Sequence, residues 1–214
     1  MKIIDIYKKF GIPPNLQEHM SRVWGIVSFI EQHWKDSDVE IDWNLLKKAS
    51  LLHDLGNVVK LDLDKHPEFL GKEQSNVDYW KEVQRNIIEK YGSDDHEATE
   101  KMLKEIGVAQ NITDVIQGKS FGNSVATRDS NNWLLKILYY ADLRTLPLGI
   151  GTLEERISDV RERMPKYTSR PDFEDLVSAC KDIEKQIQDK LDMAVSEIND
   201  QTVETPKELV DFDI

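Results

Sequence analysis

Apolar residues recur at three- and four-residue intervals along almost the whole chain, and this period constrains the fold more than any other feature. Val23, Ile26, Val27 and Ile30 share one face of a helix expected from about Leu16 to Trp34, with Asn15 as its expected N-cap. Leu45, Leu46, Ala49, Leu52 and Leu55 form a second stripe, on a helix expected over Trp43–Leu55, begun by Asp42 and stopped by Gly56. Further helices are expected over Ile3–Phe10, Val77–Lys90, 96–106 behind a Ser93 or Asp94 cap, Ile112–Ile116, Trp133–Ala141, Thr152–Arg163 and Phe173–Glu197. Alternating runs of β-branched residues bounded by turn signals are absent, so the chain reads as all-α. Val58–Ser75 and Gly118–Ser130, polar and broken by glycines, read as loops, the first with a turn of helix. The acidic tail from Asn199 onward is expected to fray.

Composition limits what such a bundle can do. With 39% hydrophobic and 32% charged residues among 214, the chain is too apolar for a disordered protein and long enough for a buried core. The 28 basic residues against 40 acidic ones leave a net charge of −12, which opposes a broad polyanion-binding face and excludes long nucleic acids as expected partners. The longest uncharged apolar stretches, around Val23–Ile30 and Ile137–Ala141, fall far short of the ~20 residues of a membrane helix. The first residues lack the apolar segment and cleavage site of a signal peptide, so the reading expects a protein that starts at Met1 and works in the cytoplasm. The single cysteine, Cys180, is expected to be a small core residue.

Three features carry chemistry. His53 and Asp54 are adjacent at the end of an apolar helix, which sets a nitrogen and an oxygen donor side by side against a rigid core, a pair suited to a divalent transition metal. His19 lies on the preceding long helix, and Asp142 follows the apolar run Ile137–Ala141 directly. Four donors from three helices are what a metal site in a bundle core requires.

In this order and context, His19, His53-Asp54 and Asp142 resemble the H…HD…D signature of the HD superfamily of metal-dependent phosphohydrolases. Glu18–Val23 resembles the family's opening H-x-x-R-V helix, Leu51–Gly56 its L-L-H-D-I-G segment, and Tyr140-Ala141-Asp142 its closing apolar-A-D. The similarity spans about 16–164. It implies an HD-domain helical bundle over residues 1–165, and leaves 166–214 as a C-terminal helical extension with an acidic tail. It implies that His19, His53, Asp54 and Asp142 bind a divalent ion (Mn, Co, Ni, Mg, Fe or Zn), one in number with a second site open. His96 matches loosely a further histidine that many members carry, with roles open between a phosphate contact, a proton shuttle and part of a second site. No histidine follows it, which departs from the members with two metals. Asn57 stands where the family often has Lys, and can hydrogen-bond but not take a proton.

The resemblance implies hydrolysis of a phosphoester of a small molecule, commonly a nucleotide. With the metal, Asp54 and His96 are the expected catalytic groups, and Arg22, Arg144, Lys119 and Asn57 are candidates to contact the substrate phosphate. For Arg22 and Arg144 a salt bridge to a neighbouring acid weighs equally, and Lys119 is the weakest candidate. Two other readings stay open: an HD-type di-iron oxygenase, which needs more histidines, and a non-catalytic metal-binding sensor or interaction protein. The Gly118-Lys119-Ser120 triplet is not a phosphate loop, since Thr113 stands where that motif needs Gly and no strand precedes it. The long C-terminal helix is compatible with capping the bundle or with pairing two copies as a homodimer.

Overall fold

A computed structural model of the chain describes residues 1–35, 38–206 and 212–214. The described residues form eleven α-helices: α1 (Ile3–Lys9), α2 (Pro14–Gln32), α3 (Trp43–Leu52), α4 (Val77–Tyr91), α5 (Asp95–Glu105), α6 (Gln110–Gly118), α7 (Ser124–Asp129), α8 (Trp133–Leu143), α9 (Leu153–Arg163), α10 (Pro165–Thr168) and α11 (Phe173–Gln188). One antiparallel hairpin, β1 (Thr145–Leu146) with β2 (Gly149–Ile150), is the only sheet among them, so the fold is all-α. No helix of the described residues is long and apolar enough to cross a membrane.

The apolar stripes explain the packing. Met20, Val23, Ile26, Val27 and Ile30 of α2 are fully buried, as are Leu46, Ala49 and Leu52 of α3 and Ile137, Leu138, Tyr140 and Ala141 of α8. These three helices pack on one another, and α6 fills the groove between α3 and α8. Burying each large aliphatic side chain contributes roughly 1.5–3 kcal/mol, so the stripes hold the centre of the molecule in one arrangement. α11 lies over α7, α8 and α9, and its Cys180, Ile183 and Ile187 join the same hydrophobic core. Cys180 is wholly buried, as its sequence context suggested.

Several boundaries differ from the sequence reading. α2 begins two residues early because Pro14 occupies its first turn, where a missing N–H costs nothing; Asn15 is therefore inside the helix and does not cap it. α3 ends at Leu52 rather than Leu55, and Gly56 lies within a 3-10 turn over Leu55–Lys60. The polar stretch 118–130 is not a loop: Ser124 and Thr127 are buried, and α7 forms there against α11. The segment 58–75 carries more helix than one turn, in 3-10 form, broken by Gly71 at φ 56°. α11 stops at Gln188, short of the expected Glu197. The tail does not simply fray: Val203 is buried, Phe212 meets Trp24 edge-on, and Phe212 and Ile214 exchange backbone hydrogen bonds with Ile3 and Met1. The part of the tail at 207–211 lies outside the described residues.

Candidate metal centre

The site is built on the end of α3. Asp42 caps that helix by accepting the Leu45 N–H at 2.9 Å, while Leu46, Ala49 and Leu52 anchor it in the core. His53 and Asp54 follow its last residue directly, at the point where the chain tightens into the 3-10 turn. That turn is docked on α5 through Gly56, whose N–H donates to Thr99 Oγ1 at 3.0 Å. A Cβ at position 56 would lie 2.3 Å from the Asp95 carbonyl oxygen and 2.6 Å from the Thr99 nitrogen, so only glycine permits this approach. Asp54 is thus held from both sides, by α3 before it and α5 after it.

Two other helices complete the cluster. His19 projects from α2, and Asp142 is the penultimate residue of α8. His19 Nε2 lies 3.2 Å from His53 Nε2, 3.3 Å from Asp54 Oδ2 and 3.1 Å from Asp142 Oδ1. His53 Nε2 lies 3.4 Å from Asp54 Oδ1 and 3.5 Å from Asp142 Oδ1. One ligand atom from each of the four residues lies within 4.8 Å of all the others.

The donor set suits a divalent ion. Metal–ligand bonds of about 2.0–2.2 Å put neighbouring ligands about 2.8–3.6 Å apart at octahedral or tetrahedral angles, which brackets the distances from His19 and His53 to one another and to the two carboxylates. The His53 ring is oriented correctly as well. Its Nδ1 donates to the Ser50 carbonyl at 2.8 Å, which leaves Nε2 as the lone-pair nitrogen facing the cluster. Asp54 is steadied by Asn57, whose Nδ2 donates to Asp54 Oδ2.

Lys119, the residue after α6, reaches into the same place. Its buried ammonium lies 3.1 Å from Asp54 Oδ1 and 2.9 Å from Asp142 Oδ2. Burial alone would raise both carboxyls, but His53, Lys119 and the His19 hydrogen bond hold Asp54 well below the usual carboxylate range. Asp142 is held down likewise, against burial, by Lys119, by its hydrogen bond from His19 and by the neighbouring His53 imidazole. Burial pulls the Lys119 ammonium down, yet the Asp142 and Asp54 carboxylates override it and leave its pKa raised. His19 is raised too, because its hydrogen bonds to Asp142 and Asp54 outweigh burial. Two carboxylates against one ammonium leave a single net negative charge before the imidazoles are counted.

The remaining sequence candidates fall in different places. Arg22, on α2 one turn after His19, pairs with Glu18 at 3.3 Å and reaches the Pro147 carbonyl of the hairpin at 3.5 Å. Arg144 does not face the cluster. Its guanidinium is buried and donates to the carbonyls of Gly151 (2.6 Å), Val195 (3.0 Å) and Ile198 (2.7 Å) and to the Tyr140 hydroxyl (2.6 Å). The Nε holds the Gly151 carbonyl beside the hairpin and the two terminal nitrogens tie Tyr140 to the C-terminal segment, so the structure does not bring this expected phosphate contact to the four-residue cluster. His96, at the start of α5, is not brought into the four-residue group; its carbonyl accepts from Gln117 at 3.1 Å. Lys60 pairs with Asp95 at 2.6 Å. The sequence reading missed the Ser50 carbonyl as a support, although a residue three positions before a histidine that closes a helix is a natural acceptor for its Nδ1. Compared with protein-family models, with curated proteins and with solved structures, the chain matches none.

Proposed function

We propose that this protein is a metal-dependent phosphohydrolase of the HD superfamily, acting on a phosphoester of a small molecule, with nucleotides as the first class to examine. The observation that carries the reading is the convergence of His19, His53, Asp54 and Asp142, in the order and sequence context of the H…HD…D signature, on one buried point with metal-ligand spacing. The four side chains would hold one divalent ion. Such an ion lowers the pKa of bound water from about 15.7 toward neutrality and polarises a phosphoryl oxygen, which is the chemistry the centre would acquire when loaded.

The chain's own groups supply the rest. Asn57 and the Gly56–Thr99 contact fix Asp54, and the Ser50 carbonyl fixes His53, so the donors need little reorganisation. Lys119 offsets the carboxylate charge at the centre and adds a fixed positive charge beside any bound phosphate. Arg22 lies one turn along α2 from His19, where releasing Glu18 would let its planar fork turn toward an anionic substrate. Local cations of this kind let a small anion approach a protein of net charge −12, because distant surface charge is screened over ~8–10 Å.

The test is a screen of nucleotides and generic phosphoesters for phosphate release with Mn²⁺, Co²⁺, Ni²⁺ or Mg²⁺. Turnover that disappears in His53→Ala and Asp54→Ala is the expected result. Metal-loaded protein without turnover across a broad panel would contradict the hydrolase reading and favour a sensor.

A further inference from the structure

The oxygens of Asp54 and Asp142 are shared unequally between two kinds of neighbour. Asp142 turns Oδ1 to the imidazoles, at 3.1 Å from His19 and 3.5 Å from His53, and Oδ2 to Lys119 at 2.9 Å. Asp54 offers Oδ2 to His19 at 3.3 Å and to Asn57, and Oδ1 to Lys119 at 3.1 Å, with His53 at 3.4 Å. The carboxylate pair therefore has an imidazole side and an ammonium side. Each ionised carboxylate has about four lone-pair sites, enough to serve a cation on either side.

We propose that Lys119 is the resident second cation of this centre: its ammonium fills the position between Asp54 and Asp142 that another divalent ion would take, so the site binds one metal ion. The inference rests on the metal reading given above. Three observations support it. The ammonium is buried, a costly placement unless it is paired, and here it is paired twice. It is also delivered by close packing, since Gly118 lets the end of α6 approach Leu135 of α8, where a Cβ would meet Leu135 Cδ2 at 3.1 Å. Lys119 follows immediately and spans to both acids. Finally, the oxygens that the ammonium occupies, Asp54 Oδ1 and Asp142 Oδ2, are the ones an ion bridging the two carboxylates on that side would need. A second divalent ion on those same oxygens would sit on top of the ammonium and be repelled by it.

Mn²⁺ titration of the full chain by calorimetry, with electron paramagnetic resonance on the loaded samples, tests this directly. Wild type is expected to bind one Mn²⁺ with the sharp hyperfine pattern of an isolated ion. Lys119→Ala, which removes the charge and opens the space, is expected to bind two, with broadening from spin coupling. Lys119→Arg, which keeps a cation, stays at one. If Lys119→Ala does not fold, Lys119→Gln removes the charge while keeping a hydrogen-bonding side chain, and the same doubling is expected. Two ions in wild type, or a neutral variant that stays at one up to millimolar Mn²⁺, would overturn the inference while leaving the metal reading standing. No Mn²⁺ bound by wild type would overturn the metal reading itself, and this inference with it.

Discussion

Two buried cations, Lys119 and Arg144, show how the same kind of residue serves opposite ends. Both lie close to Asp142, one in space and one in sequence, and both are almost wholly removed from solvent. Lys119 meets carboxylates, so it shapes the electrostatics of the candidate site. Arg144 donates to neutral acceptors, three carbonyls and a hydroxyl, with the Glu184 carboxylate farther off at 3.9 Å, and acts as a rivet between the end of α8 and the segment that follows α11. A compact ammonium balances a charge pair, whereas a planar guanidinium can satisfy several diverging carbonyls at once. The chemistry of the partners, and not proximity to a ligand, decides which cation belongs to the site.

Substitutions can break this contrast. Arg144→Met is expected to have the largest effect on stability, a loss of about 3–5 kcal/mol, because several acceptors lose their donor at about 1–3 kcal/mol each. Urea unfolding measures the loss, and Mn²⁺ stoichiometry should not change; a drop in stoichiometry would place Arg144 at the site after all. Lys119→Gln is expected to destabilise the chelated protein by about 3 kcal/mol by leaving a buried charge pair uncompensated. Unlike the arginine variant, it should be rescued by added Mn²⁺, so a deficit that persists in saturating metal would show that Lys119 is structural. Gly56→Ala is expected to cost about 1–3 kcal/mol from overpacking against the α5 backbone and also to weaken Mn²⁺ binding by moving Asp54. Unchanged affinity would show that the α5 contact does not position that carboxylate.

The cluster also imposes a pH window on the metal-free protein. Asp54 and Asp142 have depressed folded-state values, so their contribution is complete above the unfolded value of about 3.9 and is lost as pH falls through the folded values. His19 is raised, so its contribution is complete below about pH 6.5 and is lost as pH rises through its folded value. Urea midpoints of chelated protein should therefore be highest between these limits, and His19→Gln should flatten the decline on the alkaline side. A decline that survives in His19→Gln would assign it to another group. The smallest effect is expected from Asp42→Ala, about 1 kcal/mol for the lost cap on α3, with metal stoichiometry unchanged.

The four cluster residues were legible in the sequence because each is tied to a local pattern: a donor at the polar edge of an apolar helical stripe. Their convergence needed only helices of the right length packed by those stripes. The roles of Lys119 and Arg144 were not legible, because their partners lie far along the chain. Asp54 is 65 residues from Lys119, and the carbonyls of Val195 and Ile198 are 51 and 54 residues from Arg144. Helix ends were misread where tertiary packing overrode local signals. Gly56 resembled a helix stop, but it is glycine because α5 leaves no room for a Cβ. The 118–130 stretch looked like a loop because its buried groups are small and polar: Ser124 donates to the Phe121 carbonyl and Thr127 is enclosed against α11.

That His19, His53, Asp54 and Asp142 form one metal site is tested most directly by metal counting. Elemental analysis and Mn²⁺ titration of wild type, His53→Ala and Asp142→Ala, each checked for helical content by circular dichroism, should give one ion per chain in wild type and none in the folded variants. Wild type that binds no divalent ion, or variants that bind as wild type does, would contradict it.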